Sequence, residues 1–432
     1  MLAEQHSYAE SLKQLEKAER VIPLGAQTVS KSRLTLPPGI APLYATRAEG
    51  CKIWDVDGNE YVDLVAGLAA VNIGYGDKEI GDAVIAQVPH GVTISLAHPI
   101  EEEVAQLIVD LVPSAEMVRF GKNGSDATSA AIRVARGFTG RDHVIVCGYH
   151  GWHDWYIGTV SSRNLGVPED VAALAHSVPF NDLVAMESEL KKNPTAAIIM
   201  EVMTLEWPAE GYLEGVRELA TRYGALLVFD EMVTGFRFAN GGAQEYFGVT
   251  PDLSTFGKGM ANGYPLSAIV GKREYMMVLE KAFFTGTFGG ELLSLTAAKK
   301  VLERIKNTDV ISRISAKGER LTALVNQVID AAGAADLLSL QGHPSWMFLV
   351  WNPEIGEQLS DLKILFMQEM SKRGVLMIAT HNVMDAHDEE ALQHIARAYQ
   401  ETIPIILDAY KSRNAHERLD AEVGELGPKV RN

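Results

Sequence analysis

The chain has 432 residues, 47% hydrophobic and 22% charged, the balance of a globular protein with room for two or three domains. Its 39 basic side chains stand against 56 acidic ones, a net charge of −17. That excess argues against nonspecific binding to nucleic acid or an anionic membrane, and it requires that an anionic ligand meet a local positive site. No apolar run approaches the roughly 20 residues of a membrane span. Cys51 and Cys147 match no zinc or redox spacing.

In chain order, the opening "MLAEQHSYAESLKQLEKAER" reads as an amphipathic helix, acidic and unlike a secretory signal, so a cytoplasmic location is expected. "GCKIWDVDGNEYVDLVAG" reads as a hairpin turning at Asp57-Gly58. From about Ile80 helices alternate with short apolar strands: "MVRFG" (117–121), "HVIVCG" (143–148), "AAIIMEV" (196–202), "ALLVFDE" (225–231), "LSTFG" (253–257) and "LSAIVG" (266–271). Runs that are apolar on both faces suit a largely parallel sheet covered by helices, an α/β fold. After about Lys300 longer helices and the strands "SWMFLVW" and "GVLMIA" point to a smaller α+β domain, and "ERLDAEVGELGPKVRN" to a loose tail. The expected division is an N-terminal segment 1–79 packed with the small domain, a large domain 80–305 and a small domain 306–432.

Four features fall at the ends of predicted strands, where open α/β sheets place ligands. In "FGKNGSDATSAAIRVAR" a strand turns at Asn123-Gly124-Ser125 into a helix, whose free N–H groups and Ser125 hydroxyl suit an anion; the same turn also suits an ordinary cap. In "LLVFDEMVTGFR" Asp230 closes an apolar strand and needs a partner, either a protonated ring nitrogen or a cap or salt bridge. In "STFGKGMANGYP" Lys258 sits between two glycines, as a Schiff-base amine approached over bare backbone or as a solvated loop lysine. In "CGYHGWHDW" Tyr149 follows a strand, where an aromatic can stack on a flat cofactor or pack at the rim. His150, His153 and Asp154 of that stretch resemble metal ligands, but no further ligand cluster accompanies them, so no metal is expected. Together the four features complement pyridoxal 5′-phosphate.

"GYHG", "VFDEMVTGFR", "FGKGMANGYPLSAIVG" and "GTFGGE" make the chain similar to the class III (ornithine-aminotransferase-like) pyridoxal-phosphate aminotransferases, in particular the glutamate-1-semialdehyde aminomutase group, from about Leu15 to Ala409. The resemblance implies the fold type I of pyridoxal-phosphate transferases: a large domain with a mostly parallel sheet plus a smaller α+β domain. It further implies that Lys258 holds the cofactor as a Schiff base and shuttles a proton, while Asp230 pairs with the pyridinium nitrogen. Gly124 and Ser125 would bind phosphate, with Tyr149 and Val233 on opposite ring faces and Glu201 near the ring hydroxyl. Thr287 would reach the phosphate of a neighbouring subunit, which implies a homodimer with shared active sites.

Departures bear on substrate. Val202 replaces the family's proline after Glu201, and Glu291 replaces an asparagine. "PLGAQTVSKSR" puts Lys31, with Arg33 close by, where the aminomutase carries a carboxylate-binding arginine. A lysine is a point charge and not a bidentate fork. Lys31 and Trp152 are the expected substrate-side residues. The reading is an aminotransferase moving an amino group between an amine or amino acid and a keto acid or aldehyde, both small molecules. The alternatives are a 2,1-aminomutase on the same fold and a non-catalytic phosphate-binding α/β protein. Against the last, no "GxGxxG" or "GxxxxGK[ST]" follows a strand.

Overall fold

The computed structural model describes residues 6–424. The chain divides into two units. One takes the described residues up to Leu68, Asn72–Asp77 and those from Arg313 onward; the other takes Ala69–Val71 and Lys78–Ser312.

The first unit begins with the helix Ala9–Glu19, which buries Ser11, Leu15 and Ala18. Strands β1 (Ala45–Glu49), β2 (Lys52–Asp55) and β3 (Glu60–Asp63) follow as an antiparallel meander. The turn between β2 and β3 holds Asp57-Gly58, with Gly58 at φ 91°.

The second unit carries a seven-stranded sheet. Its strands are β4 (Met117–Gly121), β5 (His143–Cys147), β6 (Ala175–Ser177), β7 (Thr195–Glu201), β8 (Leu226–Asp230), β9 (Leu253–Phe256) and β10 (Ser267–Gly271), in the order β4-β10-β9-β8-β7-β5-β6. Every pairing is parallel except those of β10, which runs antiparallel to both β4 and β9. Each residue of β7, β8 and β9 is buried; β7 and β8 are accordingly apolar without alternation, while β9 carries the buried hydroxyls of Ser254 and Thr255. The helix Gly124–Thr139 lays Ala127, Ala130, Ala131, Val134 and Ala135 against that sheet, small side chains that permit close packing. Because six strands run the same way, the ends of β4, β5, β7, β8 and β9 lie along one edge of the sheet.

The first unit resumes with β11 (Leu338–His343), β12 (Trp346–Trp351), β13 (Val375–Leu376) and β14 (Thr380–Asn382). Strand β12 is flanked antiparallel by β11 and β14, while β13 joins the N-terminal meander parallel to β3. The expected strand "GVLMIA" therefore shrinks to two paired residues, and it completes the other sheet. The tail expected to be loose is anchored over its first residues: Gln368 donates to Arg418 O at 3.1 Å and accepts from Asp420 N at 2.7 Å. Its residues 425–432 lie outside the described range.

Candidate active site

At the end of β4 the chain enters the helix Gly124–Thr139 through Asn123. Asp126 Oδ2 accepts from Lys122 N at 3.0 Å and Asn123 N at 2.8 Å, which closes the turn and fixes the helix start. The amides of Gly124 and Ser125 belong to the first turn, whose N–H groups have no intrahelical acceptor, so this end can hold an anion. Three hydroxyls of the helix staple it to the loop after β5. Ser125 Oγ accepts from Trp152 N at 3.2 Å, Thr128 Oγ1 donates to His150 O at 2.9 Å, and Ser129 Oγ pairs with His153 Nδ1 at 2.7 Å. The approach demands Gly151, which has φ 102° and no room for a Cβ beside Ser125 Oγ. With its oxygen accepting from Trp152, the buried Ser125 hydroxyl keeps its own hydrogen for another acceptor.

The same loop carries Tyr149, half-buried, with its amide donating to Glu201 Oε2 at 2.9 Å. Gly148 makes that contact possible: it has φ 104°, and a Cβ there would stand 2.8 Å from Glu201 Oε2. Tyr156 meets the Tyr149 ring edge-on at 5.8 Å and donates to Gly148 O at 2.7 Å. Burial, with the charge of Glu201, pushes the Tyr156 phenol up, so it remains a donor.

Glu201, Asp230 and Thr255 form one cross-strand row at the ends of β7, β8 and β9. Asp230 is buried, and its carboxylate is held from three directions. His150 Nδ1 lies 2.8 Å from Oδ2; Met232 N at 3.1 Å and Thr255 Oγ1 at 3.3 Å donate to Oδ1. Met232 links this carboxylate to two other parts of the site. Its Sδ would stand 3.0 Å from a Cβ on Gly124 and 2.8 Å from one on Gly257. The helix start and the turn before Lys258 thus pack on the Met232 thioether, while the amide of the same residue holds the aspartate.

Lys258, three residues past Thr255, is partly buried and opens the turn Lys258–Ala261. Its own φ is 45°, in the left-handed region, while Gly257 is extended at −177°. The strained residue is therefore the lysine, at a cost of about 1 kcal/mol. A Cβ at 257 would press on the Met232 thioether, a packing contact separate from access to the amine. Val233 is buried beyond Asp230, and Thr287 is exposed on the segment before the helix Leu292–Asn307. Glu291 caps that helix, accepting from Leu293 N and Ser294 N, and meets Lys122 at 2.9 Å.

Among the proposed substrate residues, Trp152 is 67% exposed. Lys31, in the other unit, is exposed in a short turn; there burial pushes the Asp63 carboxyl up to about 6, against the Tyr75 hydroxyl and the Lys31 charge. Arg33 is paired with Glu19 at 2.5 Å. His150 and His153 serve separate networks, and among the described residues no group of three or more His, Cys, Asp or Glu could hold a metal ion. Sequence reasoning missed His150, Thr255 and Met232 as neighbours of Asp230. The usable signal was the histidine directly after Tyr149, in a sequence whose Asp230 lacked a visible partner.

A lysine, a buried aspartate, a helix start with free N–H groups and an aromatic stand on one sheet edge, a set of groups able to hold a flat, phosphorylated, basic ring. The family model described as aminotransferase class-III matches residues 37–384. A 3-aminobutyryl-CoA aminotransferase of Cloacimonas acidaminovorans is 35% identical, over 93% of this chain and 98% of its own. A glutamate-1-semialdehyde 2,1-aminomutase of Syntrophobacter fumaroxidans is 36% identical, over 83% and 88% respectively. Among solved structures, the FumI protein of Sphingopyxis sp. MTA144, in its pyridoxal-phosphate internal aldimine form, superposes with TM-score 0.86 at 28% identity, covering 94% of this chain and 98% of that one. An omega-transaminase from Sphaerobacter thermophilus gives 0.85 at 26% identity, covering 93% and 99%. With most of its length matched by the family model and its sheet edge built as described, this chain belongs to the class III aminotransferases.

Proposed function

We propose that the protein is a pyridoxal 5′-phosphate-dependent aminotransferase in which Lys258 and Asp230 act on the cofactor directly. The observation that carries the reading is the convergence on Met232 of the helix start at Gly124, the buried carboxylate of Asp230 and the turn that presents Lys258. The cofactor fits this edge: bare backbone at Gly124 and Gly151, a spare hydroxyl hydrogen on Ser125 and a carboxylate already desolvated. When bound, it supplies an aldehyde to capture amino groups and a ring that withdraws electrons.

The chain supplies the rest. Gly124 and Ser125 would hold the phosphate, Tyr149 and Val233 would confine the ring, and Glu201 would serve the side of the ring hydroxyl. Asp230 would pair with the ring nitrogen and stabilise its proton. Lys258 Nζ holds the cofactor and moves a proton at the substrate carbon. Lys31 and Trp152 contact substrate. Thr287 reaches the phosphate site of a second copy, so the active form is a cytoplasmic homodimer with shared sites.

Mixing the cofactor-loaded protein with a panel of amines, α- and β-amino acids and a 3-aminoacyl thioester tests the reading. Loss of the aldehyde-form absorbance with release of a keto product identifies the donor, and an added keto acid or aldehyde should restore the band. The aminomutase relatives support a second reading, a 2,1-aminomutase. That reading predicts conversion of an amino aldehyde to its isomer with no separate acceptor. Failure of the protein to take up the cofactor at all would sink both.

A further inference from the structure

The imidazole of His150 is among the most deeply buried polar groups of the second unit, yet none of the roles above uses it. Its side chain is 0% exposed and that of Asp230 2%. A carboxylate oxygen only accepts, so the hydrogen of the 2.8 Å contact between Nδ1 and Asp230 Oδ2 belongs to the histidine. The other ring nitrogen, Nε2, is buried and has no hydrogen-bond partner among the described residues. A bare acceptor there is tolerable, whereas a buried N–H with no acceptor is expensive. The ring therefore offers its hydrogen to Asp230.

The backbone of His150 is tied as firmly as its side chain. Thr128 Oγ1 donates to the His150 carbonyl at 2.9 Å, from the first turns of the helix that starts at Gly124. On the ring's flank, Tyr156 packs with centroids 5.3 Å apart and an interplanar angle of 67°. One residue thus spans from the anion-binding helix to the carboxylate at the end of β8.

Resting on the function proposed above, we infer that His150 is a positioning residue for the cofactor. It fixes Oδ2 of Asp230 relative to the helix that takes the phosphate, so that the ring nitrogen and the phosphate meet partners held at one spacing. Donation into the carboxylate also offsets the cost of keeping a charge at a site removed from water.

Two polar substitutions separate this role from simple packing. In His150→Asn the amide nitrogen occupies the place of Nδ1 and can still donate to Asp230; in His150→Gln it sits one atom further out and cannot reach the same oxygen unstrained. Full-length wild type and both variants are loaded with pyridoxal 5′-phosphate, and cofactor release after dilution is followed by absorbance, with thermal unfolding of each apoprotein measured in parallel. Release should be at least about tenfold faster in His150→Gln, the loss of one hydrogen bond to a charged group, and within about threefold of wild type in His150→Asn. Equal release rates in the two variants, at whatever stability, overturn the inference while the wild type's cofactor uptake leaves the proposed function standing. A wild-type protein that takes up no cofactor brings down that function and this inference together.

Discussion

Strands β8 and β9 are flanked by two buried aspartates, one at each end of the same parallel pair. Asp252, just before β9, is 6% exposed, accepts from Leu227 N at 2.8 Å and meets the Arg217 guanidinium at 2.7 Å. Asp230, closing β8, is 4% exposed and meets an imidazole, a threonine hydroxyl and a main-chain amide. Identical side chains in equal burial are thus matched to different partners. A guanidinium neutralises Asp252 outright and completes a structural bridge to the helix Tyr212–Tyr223. The donors around Asp230 orient its carboxylate without a guanidinium, and under the proposed function its charge would face the cofactor at the sheet edge of Gly124, Tyr149 and Lys258. Burial alone does not distinguish a structural carboxylate from a working one; the identity of its partners does.

The largest expected effect belongs to Lys258. Lys258→Ala should lower turnover at least about a thousandfold, the upper range for loss of a positioned base that also holds the cofactor. The variant should retain cofactor bound through the phosphate and ring contacts, without the visible band of the lysine-linked form. Turnover within tenfold of wild type would remove the lysine from the mechanism.

The aspartate pair comes next. Asp230→Asn should slow turnover by about a hundredfold or more while leaving the unfolding temperature near wild type. Asp252→Asn should do the reverse: turnover per folded molecule is kept, and stability falls by about 2 kcal/mol because Arg217 is left half-buried without its anion. Thermal unfolding and steady-state rates measured on both variants decide the matter. Matching losses of stability and rate in the two would erase the distinction between the sheet's ends.

Most of the sheet was legible because its central strands advertise themselves. Strands β8 and β7 are buried on both faces and apolar from Leu226 to Phe229 and from Ala196 to Met200, so the aspartate or glutamate that ends each stands out. Strand β6, Ala175–Ser177, left no signal: three residues at the edge, one of them exposed, have no period to detect. Strand β13 is two residues long and owes its existence to β3, a partner more than three hundred positions away. The site divides the same way. The positions of Asp230 and Lys258 follow from local pattern. Their neighbours follow from parallel register, which sets Thr255 beside Asp230, and from the hydroxyl staples that turn His150 inward. Glycine at 257 was legible as bare backbone beside the lysine, but its packing against the Met232 thioether needed the third dimension.

A smaller effect probes the helix start from its other partner. Gly151→Ala puts a methyl group into the Ser125 hydroxyl at a φ that L residues rarely adopt. The strain costs about 1–3 kcal/mol. Since Ser125 must shift, affinity for the phosphate group should fall about tenfold, read by cofactor titration. An unaltered affinity would show that Ser125 does not contribute to the anion site.

The smallest concerns Glu291, which joins the strand end at Lys122 to the helix Leu292–Asn307. Burial alone would push its carboxyl up, but hydrogen bonds from Ser294, Lys122 and the Leu293 amide prevail and hold it below its ordinary 4.5. A folded-state value below the unfolded one means that the ionised group stabilises the fold. That contribution is complete above about pH 4.5 and is lost as the pH falls through the folded value. Glu291→Gln keeps the shape and removes the charge, so it should cost about 1 kcal/mol at neutral pH. The gap between variant and wild type should then narrow as the pH drops below 4.5, where the wild-type carboxyl takes up its proton. Urea unfolding at pH 7 and in the acid range measures it. A gap that stayed constant across that range would mean the charge does nothing, and that Glu291 holds the helix by hydrogen-bond geometry alone.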